Sequence, residues 1–341
     1  MMKWICRVIV VLIVSQAHFL AAQLFDVKPV TDDVYAAIAK PTFRTNCNAA
    51  IFILSREVVV VDAESKPSAA REVIAQIKRL TDKPVTHLVI THLHGDHFQG
   101  AEAYVNAWPA VQIISTQATR DGIESRGVTR MQRELVTVPL AIEKFNTDLA
   151  KTSDDAEKVK IQQQLHEAQA YLAELKQMKA ALPNVTFDRH LTIHSDNDTL
   201  EVLFVGKGHS DGDVFVYDPK RKVIATGDSL TGWVPTMGDA SIYDWMQQLK
   251  TIEDLDFKYV IGGHGSVLQG KDTFDLWRKY FADLLDETSK AAAQGASLEE
   301  TKTQLIPTLL QRYGTQFPPD FSKTVIANVE TAYRVMTTQT K

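Results

Sequence analysis

Val85-Thr86-His87-Leu88-Val89-Ile90-Thr91-His92-Leu93-His94-Gly95-Asp96-His97 is the stretch on which the reading of this chain turns. It opens as a short apolar run with β-branched side chains, the pattern of a buried strand. Its second half is no core sequence. Four metal-competent side chains, His92, His94, Asp96 and His97, fall within six residues. Imidazole nitrogens and a carboxylate are the donors that a zinc-like divalent ion takes, and a strand that ends in such a loop can aim several of them at one point.

Three later loops repeat the arrangement: Gly208-His209-Ser210-Asp211-Gly212-Asp213, Thr226-Gly227-Asp228-Ser229 and Gly262-Gly263-His264-Gly265, each after an apolar strand pattern. In each, a donor sits beside glycines that let the backbone turn sharply at a strand end. Of ten histidines, His92, His94, His97, His209 and His264 lie in these loops. His87 is expected inside a strand, its ring against the core or behind the ligands. His166 is placed on a helix, and His190 and His194 between strands. Like His18, these read as surface or internally satisfied histidines.

Around the loops, residues 49–54, 58–61, 111–114, 200–205, 214–217, 223–225 and 258–261 have strand patterns. Residues 68–80, 100–108 and 243–252 have helical spacing, so the order is α/β. Residues 135–182 differ in kind. Val138, Ile142, Phe145 and Leu149 share a helix face, and Asp154 with Glu157 three residues on matches a helix start. Ile161, Leu165, Ala168, Leu172 and Leu175 then alternate spacings of four and three, as in a helix–helix seam that Met178 and Leu182 extend. The spacing predicts a helical hairpin inserted at about 133–183 and closed by Pro183-Asn184, its seam packing one helix on the other. From residue 273 onward helices are expected, broken at Pro307 and at Pro318-Pro319.

The chain has 341 residues, 45% hydrophobic and 23% charged, enough for a substantial buried core. A net charge of −5 without a basic block argues against nucleic acid as a partner. At the N-terminus Lys3 and Arg7 precede an apolar run from Val8 to Val14, followed by Ala17, Ala21 and Ala22. This is the pattern of a secretory signal peptide cut after Ala22 or Ala17. Ser15, Gln16 and His18 interrupt the run short of membrane-spanning length. Cleavage after Ala22 would leave 35 basic against 42 acidic residues, a net of −7. The expected location is periplasmic or secreted, with no stable membrane span. Cys6 falls in the signal, so Cys47 is alone and forms no intrachain disulfide; a small buried or half-buried residue is expected there. The expected organisation is 1–22 signal, 23–270 main domain with the insert, and 271–341 helical extension.

The ordered set His92-x-His94-x-Asp96-His97, Gly208-His209, Gly227-Asp228 and Gly263-His264-Gly265 resembles the metal motifs of the metallo-β-lactamase superfamily. The resemblance covers about residues 25–270 less the hairpin. It implies an αβ/βα four-layer sandwich with metals in a shallow groove at one edge. It also implies that His92, His94 and His209 hold one ion, that Asp96, His97 and His264 hold a second, and that Asp228 bridges them. The implied cofactors are two Zn2+, with iron or manganese as alternatives.

The implied activity is hydrolysis of a small ester, thioester, lactone or amide-type substrate, or of a phosphorus centre. A hydroxide held between the ions would attack, with Asp96 orienting it and relaying a proton. A β-lactamase is an alternative, although many lactamases of the group resemble this pattern with Cys or Ser where Asp228 stands. Bridging Asp is more typical of thioesterase, lactonase and phosphodiesterase relatives. A glutathione thioesterase is disfavoured by the export signal. An iron sulfur dioxygenase-like enzyme with one metal is a further alternative, as is a non-catalytic metal-binding protein, against which the full ligand set speaks.

Other residues are weighed beside these. Asp211 and Asp213 are either acceptors for histidine N–H groups or turn residues. Trp233, Pro235 and Met237 are either groove walls or ordinary loop packing. Lys207 either holds an anionic substrate or is solvated. The hairpin and the C-terminal helices are open to three roles: covering the groove, forming an oligomer interface or docking a protein.

Overall fold

A computed structural model describes residues 23–317 and 320–338. The expected signal peptide at 1–22 and the break at Pro318-Pro319 lie outside these residues. Two sheets carry the fold. The first has seven strands in sequence order: β1 (Phe25–Thr31), β2 (Val34–Ala39), β3 (Ala49–Ile53), β4 (Val58–Val61), β5 (Val85–Val89), β6 (Gln112–Thr116) and β7 (Val185–Phe187). The second has six: β8 (His190–Ser195), β9 (Asp198–Leu203), β10 (Phe215–Asp218), β11 (Val223–Gly227), β12 (Tyr259–Gly262) and β13 (Leu268–Gln269), in the order β13-β12-β11-β10-β9-β8.

Successive strand side chains point to opposite faces, and here both faces are apolar. Ala50, Phe52, Val59 and Val61 of the first sheet meet Val202, Val216, Val223 and Ala225 of the second. Their neighbours Ile51, Ile53, Val58 and Val60 face outward onto α1 (Pro67–Leu80) and α3 (Ala101–Ala107), with Val73, Ile77 and Tyr104 in the same cluster. On the other side Phe215, Tyr217 and Ile224 are covered by α7 (Ile242–Glu253), α8 (Asp272–Ala293), α9 (Leu298–Tyr313) and α10 (Phe321–Thr338) through Trp245, Trp277, Leu309 and Val329. Helix, sheet, sheet and helix are therefore four layers, as the αβ/βα reading expects. Alternation of two apolar faces explains why the central strands read as continuous hydrophobic runs.

β4, β5, β6 and β7 are parallel neighbours, as are β11 and β12. Parallel pairs need crossovers. α1 supplies one, the short α2 (Gly95–Phe98) with α3 another and α7 a third; the helical hairpin is the crossover from β6 to β7. It begins earlier than its apolar spacing predicts. α4 (Gln117–Gly122) runs through a π-helical turn at Ile123–Gly127 into α5 (Val128–Lys151), which pairs with α6 (Asp155–Leu175). The Asp154 side chain accepts from the N–H groups of Ala156 and Glu157, as the start signal predicts. α6 ends at Leu175; Met178 and Leu182 pack on the core from the following loop.

Two further expectations are corrected. His190 and His194 lie on the exposed face of β8, not between strands. Their run alternates exposed and covered residues, which is the signature of an edge strand. Pro307 does not break a helix: α9 passes through it, with Leu305 and Leu309 buried on either side. The break stands instead at Gly295, whose φ of +81° suits glycine, before Ser297 and Glu300 close a reciprocal cap on α9. Among the described residues, no helix is long and apolar enough to cross a membrane.

Candidate metal centre

The parallel strands point their C-terminal ends at one edge of the sandwich, where loops gather side chains from both sheets. His92, His94, Asp96 and His97 follow β5, Asp228 follows β11, and His264 follows β12; His209 comes from the loop between β9 and β10. All seven donors meet at this edge. His92 Nε2 and His209 Nε2 each lie 3.0 Å from His94 Nδ1. Asp228 Oδ2 is 4.0 Å from His92 Nε2, 3.7 Å from His209 Nε2 and 3.5 Å from His264 Nε2. Its other oxygen, Oδ1, is 3.4 Å from His97 Nε2. Asp96 Oδ2 lies 3.6 Å from His97 Nε2 and 3.2 Å from His264 Nε2. The donors fall into two groups, His92, His94, His209 with Asp228, and Asp96, His97 with His264. Asp228 stands between them, Oδ1 towards His97 and Oδ2 among His92, His209 and His264.

The ring orientations are set by the groups each histidine meets behind the centre. His97 Nδ1 donates to Asp62 Oδ2 at 2.8 Å, His94 Nε2 to Asp239 Oδ2 at 2.8 Å, and His209 Nδ1 to the Thr236 carbonyl at 3.0 Å. Because carboxylate and carbonyl oxygens only accept, these contacts fix the proton on the outer nitrogen. The Thr91 hydroxyl donates to Asp62 and is left to accept from His92 Nδ1, 3.0 Å away. Each of these four rings thus turns its other nitrogen inward.

Two atoms test whether this donor set fits a metal. His97 Nε2 and Asp228 Oδ1 are buried and lack a hydrogen-bond partner. Such atoms are costly unless something else satisfies them. The 3.0 Å from His94 Nδ1 to each of the other two imidazole nitrogens is near the roughly 3.3 Å separation of two nitrogens on a tetrahedral zinc. The residues fit divalent ions.

Charge divides the centre. Burial, then the neighbouring His97, His94 and His209, push the His92 imidazole well below its ordinary range. Burial and His94 hold His209 down at about 4. Burial also opposes a proton on His97, yet Asp62, Asp228 and Asp96 raise it to about 9. His264 is likewise raised well above its ordinary range against burial, by Asp228 and Asp96. Burial would lift Asp96 and Asp228, but His97 and His264 hold both carboxylates below the usual range.

Backbone space is part of the fit. A Cβ at Gly263 would stand 2.2 Å from Asp228 Oδ1 and 2.8 Å from His97 Cε1. Gly227 adopts φ +50° with Thr91 Oγ1 2.4 Å from a would-be Cβ. A cavity of about 240 Å³ opens over the donors, walled otherwise by Thr45, Thr231, Trp233, Val234 and Thr236. The Trp233 ring lies 5.3 Å from that of His264.

Trp233 therefore walls the groove. Met237 is buried in the core beneath α7, and the Pro235 carbonyl accepts from Asn328 of α10. Asp211 and Asp213 do not reach a histidine. Asp213 accepts from the N–H and hydroxyl of Ser210, and burial raises it to about 6. Asp211 pairs with Arg126 and with Lys207, which is half-exposed. His87 pairs with Glu57, away from the centre. Cys47 is buried, and burial raises its thiol well above its ordinary range.

Asp62 and Asp239 are the functional residues that sequence reasoning missed. Asp62 had a signal, an acid at the end of the four-valine strand β4. Asp239 had none, since it lies in irregular chain between β11 and α7.

The comparisons agree with this architecture. A solved metallo-beta-lactamase from Pontibacter korlensis superposes with a TM-score of 0.53 over 76% of this chain and 99% of its own, at 19% identity, a likeness of fold. Two curated relatives match short stretches. A metallo-beta-lactamase type 2 of Elizabethkingia meningoseptica is 33% identical over 87 residues, 23% of this chain and 34% of that protein. A linear primary-alkylsulfatase of a Pseudomonas species is 28% identical over 74 residues, 20% of this chain and 14% of that one. The aligned parts thus span about a third and a seventh of those relatives. A family model described as the metallo-beta-lactamase superfamily matches residues 43–264, from the chain just before the first buried strand to the last histidine of the centre. The match takes in the seven donors, the strands from β3 to β12 and the crossover hairpin, and the chain belongs to the metallo-beta-lactamase superfamily.

Proposed function

We propose that this protein is a dinuclear zinc-dependent hydrolase acting on a small ester, thioester, lactone or amide-type substrate outside the cytoplasm. One observation carries the reading. His97 Nε2 and Asp228 Oδ1 are buried without hydrogen-bond partners, at the junction of two donor groups that Asp228 approaches on both sides. His92, His94 and His209 would hold one ion, Asp96, His97 and His264 the other, and Asp228 both. When bound, such ions lower the pKa of water and polarise a carbonyl oxygen.

The chain's own residues do the rest. Asp62, Asp239 and Thr236 hold the His97, His94 and His209 rings so that one nitrogen of each faces inward. Asp96, partly exposed at the groove floor, is placed to orient the attacking water and carry a proton to the leaving group. Trp233 offers the substrate a flat apolar wall beside His264, while Thr45, Thr231 and Thr236 offer hydroxyls. The location rests on the basic, apolar and small-residue pattern of the first 22 residues.

The test is metal analysis of protein purified without added metal, with a hydrolysis screen over lactam, lactone, thioester, carboxylic ester, phosphodiester and sulfate ester substrates. The local likeness to an alkylsulfatase puts the last class in the screen. About two zinc per chain and turnover lost on chelation are expected. One iron per chain with no hydrolysis would favour the oxidative reading, and full turnover by metal-free protein would end the proposal.

A further inference from the structure

His94 differs from the two histidines beside it. The side chains of His92 and His209 are 1% and 2% exposed, so packing fixes their rings, whereas that of His94 is 22% exposed. Its orientation rests on Asp239, whose Oδ2 accepts from His94 Nε2 at 2.8 Å. Asp239 in turn sits on irregular chain between β11 and α7, where the backbone alone does little to hold it. What holds it comes from the inserted helix. Arg130 of α5 donates from Nη2 to the same Oδ2 at 2.6 Å. Arg126, one turn earlier, lies 3.6 Å from Asp239 Oδ1 and reaches Asp211, in the His209 loop, at 3.2 Å.

The helix is itself braced. One turn beyond Arg130, Glu134 pairs with Arg44 at 3.0 Å and accepts from the Tyr171 hydroxyl of α6. Glu167 and Glu174 of α6 accept from the N–H groups of Phe43 and Ser68. α5 is thus fixed to the sandwich on the side from which it reaches Asp239.

We propose that Arg130 is a positioning residue for the metal centre: through Asp239 it fixes the His94 ring, so that the inserted hairpin sets how tightly the His92–His94–His209 group holds its ion. The proposal rests on the metal-centre reading above. It assigns the hairpin a part in the site that its exposed face would not suggest. A half-exposed arginine–carboxylate pair is worth little as a contribution to stability. Its value here is geometric, because a ligand histidine keeps its tautomer and angle only while the acceptor on its far nitrogen stays in place.

The test is zinc affinity at each group, measured by chelator competition on the full chain, with cobalt substitution to follow the ligand field. His209→Ala identifies which ion belongs to the three-histidine group. Arg130→Ala is expected to weaken that ion about 10- to 100-fold and leave the other unchanged. Arg130→Lys should recover part of the loss, since it keeps the charge without the planar fork. Asp239→Asn should lose as much, and adding Arg130→Ala to it should cost nothing further, because both act through one contact. Affinities for both ions within twofold of the parent would overturn the proposal, as would equal weakening of both. A parent protein that binds no zinc would overturn the metal-centre reading together with this one. Two bound ions that ignore Arg130 would leave that reading standing.

Discussion

His92, His94 and His209 face one another across a space into which a single carboxylate oxygen of Asp228 projects. His97 and His264 are instead wedged among Asp62, Asp96 and Asp228. The side-chain types are nearly the same, and the electrostatics are opposite. In the first group burial and mutual repulsion favour neutral rings at His92 and His209, the latter held down at about 4. In the second, three acids overcome burial and keep protons where an ion would sit, with His97 at about 9. His92 and His209 are thus already in their ligand state at neutral pH. The second group must exchange protons for its metal.

The substitution that should blur this division most is Asp228→Ala, since Asp228 alone serves both groups. Both ions should weaken and hydrolysis should fall by at least about 10³-fold, the equivalent of several kcal/mol of lost charge stabilisation. Metal content by mass spectrometry, beside activity, is the measurement. A variant that keeps two ions and half its activity would show that the groups do not depend on a shared bridge.

Gly263→Ala acts on the second group from the backbone side. Its Cβ would press on Asp228 Oδ1 at 2.2 Å and His97 Cε1 at 2.8 Å. Overpacking of this kind costs about 1–3 kcal/mol, so kcat/KM should drop roughly tenfold to a hundredfold. The loss should fall on the ion held by His97 and His264. Chelator titration that found both ions equally weakened would place the strain elsewhere.

The motifs that make the centre readable are those in which a donor must stand on a sharp turn. The sequence cannot avoid advertising a histidine between glycines at a strand end. The buried strands are legible for a related reason: two apolar faces leave no polar alternation to confuse them. The hidden residues depend on partners distant in sequence. Asp62 and Asp239 look like loop acids until His97 and His94 are laid against them, and Arg130 looks like one more charge on an exposed helix. β8 reads as a connection in sequence because its outward residues, His190, Thr192 and His194, are polar at an edge. Pro307 reads as a break because proline removes one helix hydrogen bond. Burial of Leu305 and Leu309 in the C-terminal layer outweighs it.

Proton release sharpens the contrast without altering a residue. A histidine ligand must lose its inward proton to bind metal. At pH 7 the second group, with His97 raised to about 9 and His264 raised as well, is protonated. Filling it should release about two protons, while His92 and His209 of the first group should release close to none. Calorimetry in buffers of different ionisation enthalpy reads the difference. Release from the second group should fade as pH rises through about 9, and its affinity should climb until then. The same sign governs the metal-free fold. The His97 contribution is fully present below the unfolded value of about 6.5 and is lost as pH rises through about 9. His209 works the other way: its buried neutral ring costs stability as pH falls from about 6.5 to about 4. Equal proton release from the two groups would dissolve the comparison.

The smallest effect expected comes from farthest away. Asn328 of α10 donates to the Pro235 carbonyl at 2.9 Å and lies 3.0 Å from the Tyr280 hydroxyl of α8, all of it buried. The next residue, Thr236, supplies the carbonyl that orients His209. The C-terminal layer therefore reaches the three-histidine group through one loop, opposite the inserted helix, which reaches it through Asp239. Asn328→Ala leaves the Pro235 carbonyl and Tyr280 without this partner and should cost about 1–3 kcal/mol of stability, read as a lower midpoint in urea. At the centre, only the slack passed on to Thr236 matters. The ion of the first group should weaken by no more than a few-fold, about what a fraction of that energy allows, and the second ion should not respond. A larger loss at the second ion would mean that the loop from Trp233 to Met237 supports the whole groove, with the two groups divided by charge but not by scaffold.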